Sequence, residues 1–354
     1  MTNHQVEFTE GELLEDDPFA EPLVAAGVRC HGGFDHDGTY RSPRMANRGR
    51  AIEAWQAGHA EQFATPLLDL PLDTWPGHYP NVAQAKLLIA EGFPGPVVST
   101  LTRIGTVEGF GAMLRHSVVP DLQRCFAEDI RGTAMAHLDG GLYEAHARDE
   151  AGFEDEGGHK QMWFAARDVA FERPVTEDET AVMLQRMGIG LGAGGGGAPG
   201  PPARLLPDDV DGDLEVLIEG MVRLLLIEIS AFHAFAWAEE VLDDGDLVAG
   251  EGEAARLVSY IRQDETPHVQ YLRTTLSEMR DRTFVGQSGR RHAGADLVGR
   301  IWERALADSL GERRQQNLRV ARGEIAHALD GHPRAADLLA ELDSLGTRAG
   351  TAAA

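Results

Sequence analysis

Cysteine is nearly absent: Cys30 and Cys125 are the only two among 354 residues. Two thiols are too few for a disulfide framework, an iron–sulfur cluster or a thiolate zinc site. Positive charge is also scarce. Lys and Arg number 32 against 57 Asp and Glu, a formal net charge of -25, which argues against nucleic acid or an anionic membrane as partner. The longest apolar candidate, around 224–238, is broken by Glu228 and His233, so no membrane-spanning helix is expected. The opening MTNHQVEFTEGELLEDD is acidic and lacks the apolar core of a secretory signal. Convincing strand patterns are missing too. With 43% hydrophobic and 25% charged residues, the chain reads as a soluble, globular, cytoplasmic, all-α protein with ample core.

Three parts are expected. Residues 1–95 are rich in Pro, Gly and polar residues, with helical period only near Met45–Phe63 and Val82–Glu91. They read as a mostly irregular extension wrapped on the main body. Asp35-His36-Asp37-Gly38 lacks the later acidic positions of a calcium loop and reads as a turn. Residues 96–285 form the helical body. Helices are expected from Gly95-Pro96, from Pro120-Asp121, over roughly 143–172, over about 213–242 and over about 252–284. A Gly/Pro-rich stretch at about 188–207 mimics a dinucleotide fingerprint, but no helix opens after it, so it reads as a connector. Residues 286–354 add shorter amphipathic helices and a disordered Gly/Ala tail.

What is present is a repeated motif. Asp155-Glu156-Gly157-Gly158-His159 is echoed by Asp264-Glu265-Thr266-Pro267-His268. On a helix, residues i and i+3 share a face, so Glu156 with His159, and Glu265 with His268, can each aim a carboxylate and an imidazole at one point. A bare Glu-x-x-His is expected roughly once in such a chain, and the third copy, Glu324 to His327, reads as that chance event. Two copies with the preceding Asp do not. Facing helices that carry this pattern twice can hold two metal ions.

Each motif needs a carboxylate from the preceding helix. In the second half this is Glu228, at the centre of an almost wholly apolar helix, where an unpaired charge is very costly. In the first half it is Glu128, with Glu108 and Glu144 as rivals. A dozen or so residues on either side of each turn, about 1.5 Å apiece, puts each pair at one level. The expected ligands are therefore Glu128, Glu156, His159, Glu228, Glu265 and His268. Such hard and borderline donors suit iron or manganese. Asp155 and Asp264 are candidates to accept the outer N–H of a ligand histidine. His137, His146 and His233 read as satisfied buried histidines, and Trp163, Phe232, Phe235 and Trp237 as core.

One Glu per helix followed by Asp-Glu-x-x-His, twice over, resembles the ferritin-like di-iron carboxylate superfamily across roughly residues 97–285. The resemblance implies a four-helix bundle binding two irons, or a mixed Mn/Fe pair, that reacts with O2. It further implies a small, largely apolar organic substrate and an external electron donor, since no flavin, nicotinamide or iron–sulfur motif is present. A homodimer is the default expectation. A ferroxidase or iron-binding protein without organic substrate is the alternative. Trp163 stands where ribonucleotide reductase small subunits place a radical Tyr, and Ile261 where certain arylamine N-oxygenases place an extra His. The long flanks also argue against a ferritin shell.

Overall fold

The computed structural model describes residues 5–171, 175–186 and 204–351. The connector expected at 188–207 lies outside the described residues up to residue 203, as does the end of the tail. The chain is mostly helical, as its composition and period suggest.

The N-terminal part is more ordered than expected. A one-turn helix, α1 (Glu10–Leu13), precedes strands β1 (Glu21–Ala25), β2 (Val28–Phe34) and β3 (Tyr40–Arg41), an antiparallel sheet in that order. The expectation of no strands is thus corrected. β1 and β3 are short, and β2 contains two glycines and pairs partly with a loop of the main body, so no local alternation announces it. The Asp35 turn between β2 and β3 forms as expected: Asp35 Oδ1 accepts from the N–H groups of Asp37 and Thr39 at 3.2 and 3.0 Å. Helices α2 (Met45–Gln62) and α3 (Val82–Ala90) follow, where the period places them.

The main body holds α4 (Gly95–Gly109), α5 (Leu122–Cys125), α6 (Tyr143–Ala151), α7 (His159–Ala170), α8 (Glu177–Arg186), α9 (Gly212–Leu242) and α10 (Glu253–Arg280). The longest pair, α9 and α10, packs most extensively. Helix α4 lies along α7, and α7 along α10. Asp211 caps α9 by accepting from the N–H of Asp213. Two expected helices are cut short. After Cys125 the chain turns extended, and Phe126 stacks near Phe284 with ring centroids 4.6 Å apart. The helix expected over 143–172 is interrupted between Ala151 and His159.

A hairpin of β4 (Thr283–Val285) and β5 (Arg291–Ala293) leads into α11 (Gly294–Leu310), α12 (Glu312–Ala328) and α13 (Ala335–Thr351). Leu297, Val298 and Ile301 of α11 join Leu217, Met221 and Leu225 of α9 in one core. A second core surrounds Trp163, Phe235, Val241 and Ile261. No helix among the described residues is long and apolar enough to cross a membrane.

Candidate metal centre

The interruption between α6 and α7 shapes the centre. Gly152 takes φ +83, and a Cβ there would meet the Glu156 carbonyl at 2.4 Å. A Cβ on Gly158 would meet the Asp149 carbonyl, also at 2.4 Å. Only glycine permits so tight a loop. Strand β2 clamps it from outside: Gly157 N–H donates to the Arg29 carbonyl and His31 N–H to the Gly157 carbonyl, each at 2.8 Å. The loop turns His159 inward as the first residue of α7, and it carries Glu156 outward. Glu156 pairs with Arg29 at 2.8 Å and His31 at 3.0 Å, its side chain 27% exposed.

Two groups of side chains converge inside. His146, Glu150, Glu228 and His268 form one; Glu108, Glu150, His159 and Glu265 form the other. Within each, one ligating atom per residue lies within 4.8 Å of the rest, and Glu150 belongs to both. Of the expected residues, His159, Glu228, Glu265 and His268 are brought together here. Glu128 and Glu156 stand outside both groups. Glu128, beyond the short α5, accepts from the Thr283 N–H at 3.0 Å near the surface. Its rival Glu144 pairs with Arg148 at 2.8 Å, whereas the rival Glu108 does join the centre. Glu150 takes the place expected of Glu156, and His146, one helical turn before it, is an addition that sequence reasoning set aside as core.

The outer partners cross over. His268 Nε2 donates to Asp149 Oδ2 at 2.9 Å, while its Nδ1 faces Glu265 at 2.7 Å and Glu150 at 3.2 Å. His159 turns Nε2 toward Asp264 Oδ2 at 3.5 Å and Nδ1 toward Glu265 at 2.9 Å. Each half of the chain therefore sets an aspartate behind the other half's histidine. His146 Nδ1 meets Tyr271 Oη at 2.9 Å, leaving Nε2 toward Glu150 and Glu228, both 3.3 Å away. The His146 and His268 rings stack at 3.7 Å. Asp149 is held in turn by Arg44 and by Arg48, the latter at 2.6 Å. Asp264 accepts from the Tyr40 hydroxyl at 2.7 Å. Asp155, the other expected outer partner, is exposed in the interrupting loop.

Burial and the crowding of carboxylates govern the electrostatics of the centre. Burial, reinforced by Glu265 and Glu108, pushes Glu150 well above the ordinary carboxylate range. Burial and Glu228 do the same to Glu265, and burial raises Glu108. Burial would also raise Glu228, but its contacts with His146 bring it below its ordinary value. Burial, with His146, holds His268 down to about 3. His159 is raised by Glu265 and Glu150 against the effect of burial. Burial likewise opposes ionisation of Asp149, yet Arg44 and Arg48 keep it well below the usual range.

The residues fit a metal. Both oxygens of Glu150, Glu265 Oε1, His146 Nε2 and both His159 nitrogens are buried without a hydrogen-bond partner, which is rare unless an ion or water completes the site. Among the described residues no Lys or Arg ion-pairs with any of the four glutamates. Three buried carboxylates and a half-buried fourth, with only histidines beside them, are costly, so these clusters could hold a metal ion.

No family model, curated protein or solved structure matches this chain.

Proposed function

We propose that this protein is a ferritin-like di-metal carboxylate oxidase or oxygenase. Helices α4, α6 with α7, α9 and α10 serve as the four ligand-bearing elements of a bundle. The observation that carries the reading is that the two His/Glu groups share Glu150. Glu108, His159 and Glu265 would hold one ion, and His146, Glu228 and His268 the other. Seven oxygen and nitrogen donors with no thiolate favour iron or manganese. When bound, a redox-active pair of such ions supplies O2 activation.

The chain's own residues prepare that chemistry. Asp149 fixes the orientation of His268 and Tyr271 that of His146, and Asp264 lies 3.5 Å behind His159. Burial opposes ionisation of Glu150 and Glu265, so metal binding would be coupled to proton release. Leu225, Trp163 and Phe235, all buried, keep water from the interior side. In this reading the electron donor is external. An iron-binding or ferroxidase role is the second reading. The partly exposed apolar residues near Glu108 and Glu228, including Ile104 and Phe232, favour an organic substrate over a path lined by acids.

Elemental analysis of protein expressed with ample iron tests the proposal. About two metal ions per chain are expected in the wild type and well under one in Glu150→Ala. O2 consumption with candidate apolar substrates then separates oxygenase from ferroxidase. Zinc alone, or no metal in the folded wild type, rules out the oxygenase.

A further inference from the structure

Pro267 is buried within α10 and has no N–H to give the Gln263 carbonyl one turn earlier. The hydroxyl of neighbouring Thr266 does not turn back along the helix either. Those of Thr274 and Ser277 do, donating to carbonyls four residues earlier at 2.7 and 2.6 Å. The Thr266 hydroxyl makes no hydrogen bond among the described residues. Gln263, Thr266 and Pro267 line one side of a cavity of about 560 Å³ that lies outside the candidate centre. This volume is in the usual range of small-molecule sites.

The N-terminal part supplies the other walls, and Gln263 Nε2 reaches the Tyr40 carbonyl at 3.4 Å to join the two sides. Ser42, directly after β3, lines the cavity and is only 7% exposed. Its hydroxyl also has no hydrogen-bond partner among the described residues, which is rare for a buried polar group. Phe19 and Met45 make an apolar wall. Phe19 is pressed against β2, where a Cβ on Gly33 would meet its Cγ at 2.6 Å. The charged lining residues do not balance. Arg41 is engaged by Asp35, whose Oδ2 lies 2.9 Å from both its Nε and its Nη2. Asp17 has no Lys, Arg or His within 4.0 Å among the described residues. Its oxygens accept from backbone N–H groups at the start of α2, Met45 at 2.6 Å and Ala46 at 3.0 Å. Those bonds fix the carboxylate beside the cavity and leave each oxygen with a lone pair.

The cavity thus offers acceptors, two uncommitted hydroxyls, one unbalanced negative charge and an apolar wall. An anion meets no uncompensated cation there, and a hydrocarbon leaves the polar groups unpaired. We propose that this cavity binds a small organic ammonium, its nitrogen donating to Asp17 and Ser42 and its apolar body resting on Phe19 and Pro267. Such a ligand bridges the two parts that shape the centre. Thr266 and Pro267 lie between Glu265 and His268, and Ser42 lies two residues before Arg44, which holds Asp149. Its binding does not depend on the function proposed above.

Calorimetric titration of the full-length protein at pH 7 with 2-phenylethylamine, 2-phenylethanol and phenylacetate tests the site. The amine, charged at this pH, is expected to bind at about one site per chain and roughly ten-fold more tightly than the alcohol. The acid binds more weakly than either. Asp17→Asn, whose amide oxygen can still cap α2, removes the preference for the amine. Ser42→Ala weakens the amine about three-fold. Ala46→Trp, at an exposed position that lines the cavity, fills the space and abolishes binding. Equal affinity for amine and alcohol, tighter binding of the acid, or amine affinity unchanged in both Asp17→Asn and Ser42→Ala overturns the proposal. So does amine uptake that Ala46→Trp leaves intact, which would place it elsewhere on the acidic surface. The wild-type comparison and Ala46→Trp decide the matter even if Asp17→Asn fails to fold.

Discussion

At the scale of single residues, the sharpest contrast is between Glu150 and Glu156. Both follow an Asp, both lie near His159 in sequence, and only one faces inward. Glu150→Gln is expected to lower bound metal by more than half, because it removes the charge common to both groups. Glu156→Gln is expected to leave metal content unchanged. Its pairing with the 62% exposed Arg29 is worth at most about 1 kcal/mol. Elemental analysis of the two variants side by side decides, and metal lost from Glu156→Gln but kept in Glu150→Gln reverses the assignment. The sequence did hold a signal for the right residue. Asp149-Glu150 repeats Asp264-Glu265, and His146 falls one turn before Glu150. What hid it was spacing: the partner histidine is displaced to position 159 by a loop that only the backbone conformation of Gly152 and Gly158 reveals. Glu228, Glu265, His268 and the rival Glu108 were legible because each lies on an unbroken helix, where period and face are reliable.

At the scale of elements, the same rule separates what was legible from what was not. Helices α9 and α10 follow from their long helical periods, with Asp211 capping the start of α9. The segment 126–142 does not, because its conformation is set by distant partners. Glu278 of α10 is the main one. Its two carboxylate oxygens accept from the N–H groups of Ala134 and Met135, each at 3.0 Å, and pin this non-repetitive stretch against the helix. Burial pushes the Glu278 carboxyl up to about 7. A carboxyl raised on folding binds its proton more tightly in the native state, so the stability it contributes is fully present below about pH 4.5 and fades as pH rises through about 7. Wild type is therefore expected to lose stability relative to Glu278→Gln by on the order of 3 kcal/mol between pH 4.5 and 8. Urea unfolding of both proteins across that range measures it. Parallel curves mean that Glu278 titrates alike in folded and unfolded chains.

At the scale of the whole molecule, the N-terminal part turns out to be structural support for the centre. Sequence reasoning treated residues 1–95 as a wrapping that carries no chemistry of its own, and among its described residues no side chain joins either His/Glu group. It nevertheless holds both aspartates behind the histidines: Tyr40 on Asp264, Arg44 and Arg48 on Asp149. The same part grips α10 farther along, through Gln56 to Thr274 at 3.1 Å and His59 to Asp281 at 2.9 Å. Isolated sequence patterns cannot disclose this, because the three partnerships span 101, 105 and 224 positions and each arginine alone looks like a surface charge. Arg48 also donates to the Pro43 carbonyl at 3.0 Å, so its fork both closes the turn into α2 and neutralises a buried anion. Removing one member of such a pair leaves a charge without its counter-ion. Arg48→Met is expected to cost about 3 kcal/mol in the metal-free protein and to weaken metal binding, since a less firmly held Asp149 orients His268 poorly. Arg48→Lys restores only part of the loss, because an ammonium cannot reproduce the two-armed contact. Urea midpoints and metal titrations of the three proteins provide the check. Midpoints within about 0.5 kcal/mol of wild type would mean that Arg44 alone compensates Asp149, and that the N-terminal part is a cover and not a brace.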